Sequence, residues 1–231
     1  MTDASTSPPA PADPLALDPR DSGAPLGEAT YRALCRALRD GTFVPGDRLR
    51  EEEVARRLSV SRTPVREAFG RLLGRRLVEP AGGRGLIVRR LDAPEALELY
   101  ALREILEGAA AGLAARHASQ AEIEMMEEIE ASLEGAAQDA REMGRLNRNL
   151  HETIFRAARN RYLDVALQDM QDAISLLGPT TFGVEGRPQT AFSEHRAMIA
   201  AIAARNPEAA ELAARDHMRS ALKARLRILQ G

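Results

Sequence analysis

The chain has 231 residues, of which 44% are hydrophobic, 3% aromatic and none Trp. That length supports one large or two modest domains with real cores, and a composition led by Ala, Leu and Arg favours helix. A single cysteine, Cys35, excludes a disulfide framework, and no apolar run reaches membrane-spanning length, so a soluble cytoplasmic protein is expected. The net charge of −2 conceals an uneven distribution: residues 1–25 carry −3, residues 26–91 carry +7 and residues 92–231 carry −6. A basic module joined to an acidic one is the electrostatic pattern of a nucleic-acid reader with a separate regulatory body.

In chain order, residues 1–25 hold six of the thirteen prolines and are predicted to be a disordered tail, too polar to offset the entropy of ordering. From Glu28 to Asp40 the spacing of Tyr31, Leu34 and Leu38 predicts a helix, ended by Gly41. A second helix is predicted from Arg50 to Leu58, with acids at its start, and a third from Thr63 to Arg75. Leu77–Glu79 and Leu86–Val88 read as short strands joined by the Gly-rich turn Pro80–Gly85. Residues 26–91 are thus a predicted winged helix-turn-helix of three helices and a small β-hairpin.

After Leu91-Asp92-Ala93-Pro94 the pattern becomes amphipathic helix throughout. Helices are predicted at 94–116, 119–138, 140–158, 160–177, 189–205 and 207–229. Residues 92–231 are expected to form an all-α antiparallel bundle, making the fold mainly α. The segment Gly178–Pro188 is expected to be a mobile loop near a pocket.

The third helix carries the first candidate site. Val65, Phe69 and Leu72 form its core stripe, while Arg62 and Arg66 lie one turn apart on another face. Arginines presented this way can bind guanine bidentately in the major groove. Ser61 and Thr63, with the first-turn amides, suit phosphate oxygens. Arg50 and Arg84 could touch backbone from the turn and the wing, and Arg71 is expected to pair with Glu67 at i, i+4. These residues point to double-stranded DNA as the partner.

The run Pro45-Gly-Asp-Arg-Leu-Arg-Glu-Glu-Glu-Val-Ala-Arg-Arg-Leu-Ser-Val-Ser-Arg-Thr-Pro-Val-Arg-Glu-Ala-Phe69 resembles the GntR superfamily of bacterial transcription regulators. Ser59 stands where that pattern usually has Gly, and Phe69 where it has Leu. The helical half resembles the FadR subgroup with its FCD effector domain, in the six-helix, VanR-like variant. The resemblance implies a homodimer on a near-palindromic operator, a small organic acid effector and a repressor.

Of four histidines, His151, His195 and His217 fall on inward faces of late helices, and His117 reads as a surface residue. From spacing alone, three satisfied core histidines are the ordinary reading, and a divalent cation held by three imidazoles is the sharper one. The resemblance implies the metal, with Asn147, His151, His195 and His217 as ligands and Zn, Ni or Mn as possible ions. Asn147 replaces the family's usual Asp. Arg103 reads either as an ion pair with Glu107 or, by the resemblance, as a residue that clamps the effector's carboxylate. A metal-dependent helical enzyme with a DNA-binding appendage is the alternative, and the sequence offers it no evident general base. An architectural DNA binder without ligand is a third reading, against which the histidine-bearing interior counts.

Overall fold

The computed structural model of the chain describes residues 15–83 and 85–230. It divides into two compact units, one ending at Arg89 and the other beginning at Arg90. The first contains α1 (Leu26–Arg39), β1 (Arg48–Leu49), α2 (Glu51–Leu58), α3 (Arg62–Gly74), β2 (Val78–Pro80) and β3 (Leu86–Val88). Leu34, Leu38, Val54, Leu58, Val65, Phe69 and Leu72 are all buried, so the apolar stripes of the three helices form one core. The turn from α2 to α3 needs a left-handed residue, and Ser59 takes that role at φ 54°.

Two differences from the sequence expectation have local causes. The wing is a three-stranded antiparallel sheet in the order β1-β3-β2, with Leu49 opposite Leu86 and Val78 opposite Val88. Two residues of strand carry no readable alternation, so β1 leaves no periodic signal in the sequence. The expected tail through residue 25 is corrected from residue 15 onward; residues 1–14 lie outside the described residues. Leu15 is fully buried, and Pro19–Asp21 form a 3-10 turn capped by the Asp18 side chain. Asp21 receives Arg32 at 2.9 Å and Arg36 at 3.1 Å, two α1 arginines one turn apart. Composition does not reveal such a partner-specific anchor.

The second unit contains α4 (Ala93–His117), α5 (Gln120–Gly135), α6 (Ala140–Ala157), α7 (Arg161–Ser175), α8 (Arg187–Ala203) and α9 (Pro207–Gln230). Capping fixes their starts. Asp92 with Glu95, and Ser119 with Glu122, form capping boxes, and Asn160 accepts from the first amides of α7. The long helices α4 and α9 run antiparallel, since Gly112 meets Pro207 and Glu211 while Glu104 pairs with Arg219. Small residues permit this approach: Ala110, Ala111, Ala114, Ala210 and Ala214 are all buried. A Cβ at Gly112 would lie 3.3 Å from the Pro207 carbonyl oxygen, so glycine fits a crowded crossing there.

The segment expected to be a mobile loop is instead anchored. Thr181–Gly183 form a 3-10 turn, and Phe182 is buried with Leu133, Met143 and Phe192. Among the described residues no helix is long and apolar enough to cross a membrane.

Candidate functional site

In the N-terminal unit, α3 separates its faces cleanly. Pro64, Val65, Ala68, Phe69 and Leu72 are buried, whereas Ser61, Arg62, Thr63 and Arg66 are exposed. Ser61 is the exposed N-cap residue and its side chain makes no capping bond, so its hydroxyl does not serve the first-turn amides. The guanidinium of Arg62 contacts Glu52, and Arg66 Nε donates to Glu51 Oε2 at 2.8 Å. Arg50 is exposed at the N-cap of α2. It lies beside the wing, where a Cβ on Gly85 would come 3.7 Å from its Cγ and 2.6 Å from the Leu49 carbonyl oxygen. With φ at +105°, Gly85 is a position only glycine fills without strain. Arg84 falls outside the described residues. Arg71 does not pair with Glu67 as expected: it reaches Glu28 of α1 and its guanidinium stacks 3.9 Å from the Tyr31 ring centre. It therefore braces α3 against α1.

In the bundle, His151 of α6, His195 of α8 and His217 of α9 come together. They are exposed by only 3%, 0% and 2%, and one ligand nitrogen from each lies within 4.8 Å of the others. Three stretches of sequence far apart converge because the apolar stripes of their helices face one core. Asn147 lies one turn before His151, and its buried Oδ1 has no hydrogen-bond partner. His117 is exposed at the end of α4 and takes no part.

Each clustered histidine has a carboxylate behind it. Glu107 Oε2 of α4 lies 2.7 Å from His151 Nδ1, Glu130 Oε2 of α5 lies 2.8 Å from His195 Nδ1, and Glu194 Oε2 lies 2.7 Å from His217 Nδ1. The contacts at His195 and His217 are hydrogen bonds in which the carboxylate accepts, so Nδ1 carries the proton and, in the neutral ring, Nε2 keeps its lone pair; at His217 the 2.7 Å contact to Glu194 outweighs Arg187 Nη2 at 3.3 Å from the same nitrogen. Two of these lone pairs face each other: His195 Nε2 and His217 Nε2 are 3.4 Å apart. The buried His151 Nε2 has no partner. Burial pushes the His195 pKa down and the His217 pKa well down, despite the carboxylate beside each ring, so protonating both Nε2 atoms is disfavoured. Such a group of inward lone pairs, each oriented by an outer carboxylate, is the donor set that holds a divalent metal ion. The residues present fit that use.

Two arginines complete the arrangement. Arg103 Nε donates to Glu107 Oε1 at 2.8 Å, and its guanidinium lies 4.7 Å from the Tyr100 ring centre. Burial opposes the Glu107 charge, but Arg103 and His151 hold its pKa down at about 2. Arg103 therefore forms the intrahelical pair and reaches the histidine cluster through Glu107. Arg187 donates to Glu194 Oε2 at 2.7 Å and to Ser220 Oγ at 3.3 Å. Glu130 also lines an open groove of about 370 Å³ between α5 and α8, with Glu127, Glu134 and Arg196, so the buried cluster lies one side chain from solvent.

Sequence reasoning missed Glu107 as a histidine partner, Glu130, Glu194 and Arg187. Glu194 seemed misdirected because it points away from its neighbour His195; the structure turns it onto His217 of the next helix. Glu130 lies among other α5 acids, and nothing local distinguishes it. Glu107 had one signal, since it is i+4 from Arg103 and hence on the face with Tyr100 and Arg103.

Comparison with known proteins agrees with both halves. Residues 26–88 match the bacterial regulatory proteins of the gntR family, and residues 98–220 match the FCD domain. The chain is 30% identical to the Bacillus subtilis HTH-type transcriptional regulator YdhC, over 78% of this chain and 82% of that one. It is 31% identical to a probable D-xylose utilization operon transcriptional repressor of Paenarthrobacter nicotinovorans, over 81% and 83%. The solved structure of E. coli McbR/YncC shares the fold, with a TM-score of 0.80 at 19% identity over 89% of this chain and 99% of that one. An arginine-bearing helix and a winged sheet, joined in one chain to a bundle of this kind, belong to a DNA-binding transcription regulator of the GntR family with an FCD domain.

Proposed function

We propose that the protein is a repressor whose operator binding is set by a small carboxylate held, with a divalent metal ion, in the FCD bundle. The opposed His195 and His217 Nε2 atoms, 3.4 Å apart with both Nδ1 atoms engaged, carry this reading. Lone pairs aimed at one another inside a protein are repulsive unless a proton or a metal ion lies between them, and a proton there would either charge a buried ring or turn another lone pair onto its carboxylate. His151, His195 and His217 would hold the metal, with Asn147 Oδ1 as a neutral fourth donor. The bound ion would supply a Lewis-acid position for an anionic oxygen.

Charge narrows the effector. The cluster sets three carboxylates, the buried Glu107 and Glu130 and the half-buried Glu194, against two guanidiniums, Arg103 and Arg187. Its net charge is one negative with neutral histidines and Asn147, and one positive with a divalent ion. A single carboxylate balances the metal-loaded site, while the metal-free site repels it. Each of these carboxylates is committed to a histidine Nδ1, which leaves none as an evident base and favours a sensor over a catalyst.

Arg62 and Arg66 would read bases, Ser61, Thr63, Arg50 and Arg84 would position the backbone, and two copies of the chain would read a near-palindrome. Leu102 and Ile105 of α4 with Tyr162 and Val165 of α7 are exposed apolar residues suited to pairing two copies. Calorimetric titration of lactate and malonate into the full chain, with and without Zn, Ni or Mn, tests the effector site. The expected result is metal-dependent binding that favours the monocarboxylate. Equal binding without metal would overturn it.

A further inference from the structure

Both arginines assigned to base reading already hold an anion in the free protein. Arg62 pairs with Glu52 and Arg66 with Glu51. These acids occupy the first turn of α2, where the positive end of the helix dipole favours them. They are also the ion-pair partners of two arginines on the face proposed to approach phosphate. All four side chains are partly open to solvent, from 33% for Glu51 to 71% for Glu52, so each pair can be exchanged.

We propose that Glu51 and Glu52 are specificity-determining residues: internal counter-anions that compete with DNA phosphate for Arg62 and Arg66 and so penalise sequence-independent binding. On an arbitrary duplex, an arginine that leaves its carboxylate for a phosphate exchanges one anion for another. The released carboxylate then faces the phosphates as a like charge. On the operator, the same arginine gains the paired O6 and N7 acceptors of guanine, a planar bidentate arrangement that a lone phosphate contact does not match. The acids lower both affinities but lower the non-specific one more, which is how a repulsive element raises discrimination. Residues 26–91 carry +7 with these two acids counted and would carry +9 without them, so the acids oppose part of the unit's attraction for any duplex.

The test uses the full chain, an operator selected from random duplexes, and a scrambled duplex as the non-specific probe. Glu51→Gln, Glu52→Gln and the double variant are compared with Glu53→Gln, which removes an exposed acid of the same turn that belongs to neither pair. Glu51→Gln and Glu52→Gln should each raise affinity for the scrambled duplex about threefold, and the double variant about tenfold. Operator affinity should rise less, so the ratio of the two narrows, while Glu53→Gln should change the ratio little. Unchanged affinity for the scrambled duplex, an equal rise on both duplexes, or an effect of Glu53→Gln as large as that of Glu52→Gln would each overturn the proposal. Circular dichroism of each variant confirms that α2 is intact, and a conservative Glu52→Asp variant should restore most of the discrimination.

Discussion

The two candidate sites differ in how sequence builds them. The proposed DNA-reading face is exposed and lies within one short stretch, Ser61 to Arg66, on a single helix end. The histidine cluster is buried and draws on α4, α5, α6, α8 and α9, with first and last residues, Arg103 and His217, over a hundred positions apart. An exposed site tolerates weak, exchangeable pairs such as Arg66 with Glu51, since water screens them. A buried site does not: each carboxylate and guanidinium there requires a partner, and losing one leaves a charge stranded. Substitutions should therefore be costly to folding in the bundle and nearly silent for folding in the reading helix.

Glu107→Ala should show the largest effect. It strands the buried Arg103 and removes the orienting group from His151, so unfolding free energy in denaturant titration should fall by about 3–5 kcal/mol. A loss under 1 kcal/mol would contradict the buried pairing. Glu130→Gln keeps the shape of a side chain but weakens its hold on His195 Nδ1. Metal affinity by competition with a chelator should fall about 10–100-fold, with the fold kept. Arg62→Ala should cost about 1–3 kcal/mol of operator affinity and relax base preference, with an unchanged thermal midpoint. Coupled losses of stability and binding there would break the contrast between the sites.

Acid should act on the bundle before it acts on α3. His195 and His217 have folded-state pKa values below the ordinary 6.5, so the unfolded chain binds more protons between that value and the lowered ones. Stability is then full above pH 6.5 and declines as pH falls through that window, by about 1.4 kcal/mol per pH unit for each histidine kept neutral. Glu107 adds a second decline below 4.5, towards its folded value of about 2. Thermal midpoints of metal-free protein from pH 7.5 to 5 check the first window; a flat profile would contradict the buried neutral imidazoles. The smallest effect is expected at the turn. Ser59 sits at φ 54°, where glycine is unstrained, so Ser59→Gly should stabilise by roughly 0.5–1 kcal/mol in the same denaturant assay.

The helix α3 and its two faces were legible in sequence because their evidence is local. Val65, Phe69 and Leu72 set its buried side, and that fixes where Arg62 and Arg66 face. The inward histidines were legible one at a time, from the stripes of their helices. Their convergence came only from the family resemblance, because periodicity on one helix carries no information about its neighbours. The outer carboxylates were not legible at all in Glu130 and Glu194, whose roles depend on cross-helix geometry. β1 and the Asp21 anchor were missed for a related reason: a two-residue strand and a single buried acid are defined by their partners, Leu86 and the pair Arg32 and Arg36.

The proposed switch is tested most directly by operator affinity measured in the presence of metal and a small monocarboxylate, in the parent protein and in His195→Ala. Coupling between sites of this kind amounts to about 1–3 kcal/mol, so the ligand should change the parent's operator affinity by about 5–150-fold. The His195→Ala variant, its fold checked by circular dichroism, should bind the operator with the parent's ligand-free affinity and show no response. A ligand response of equal size in both proteins would contradict a control site at the histidine cluster.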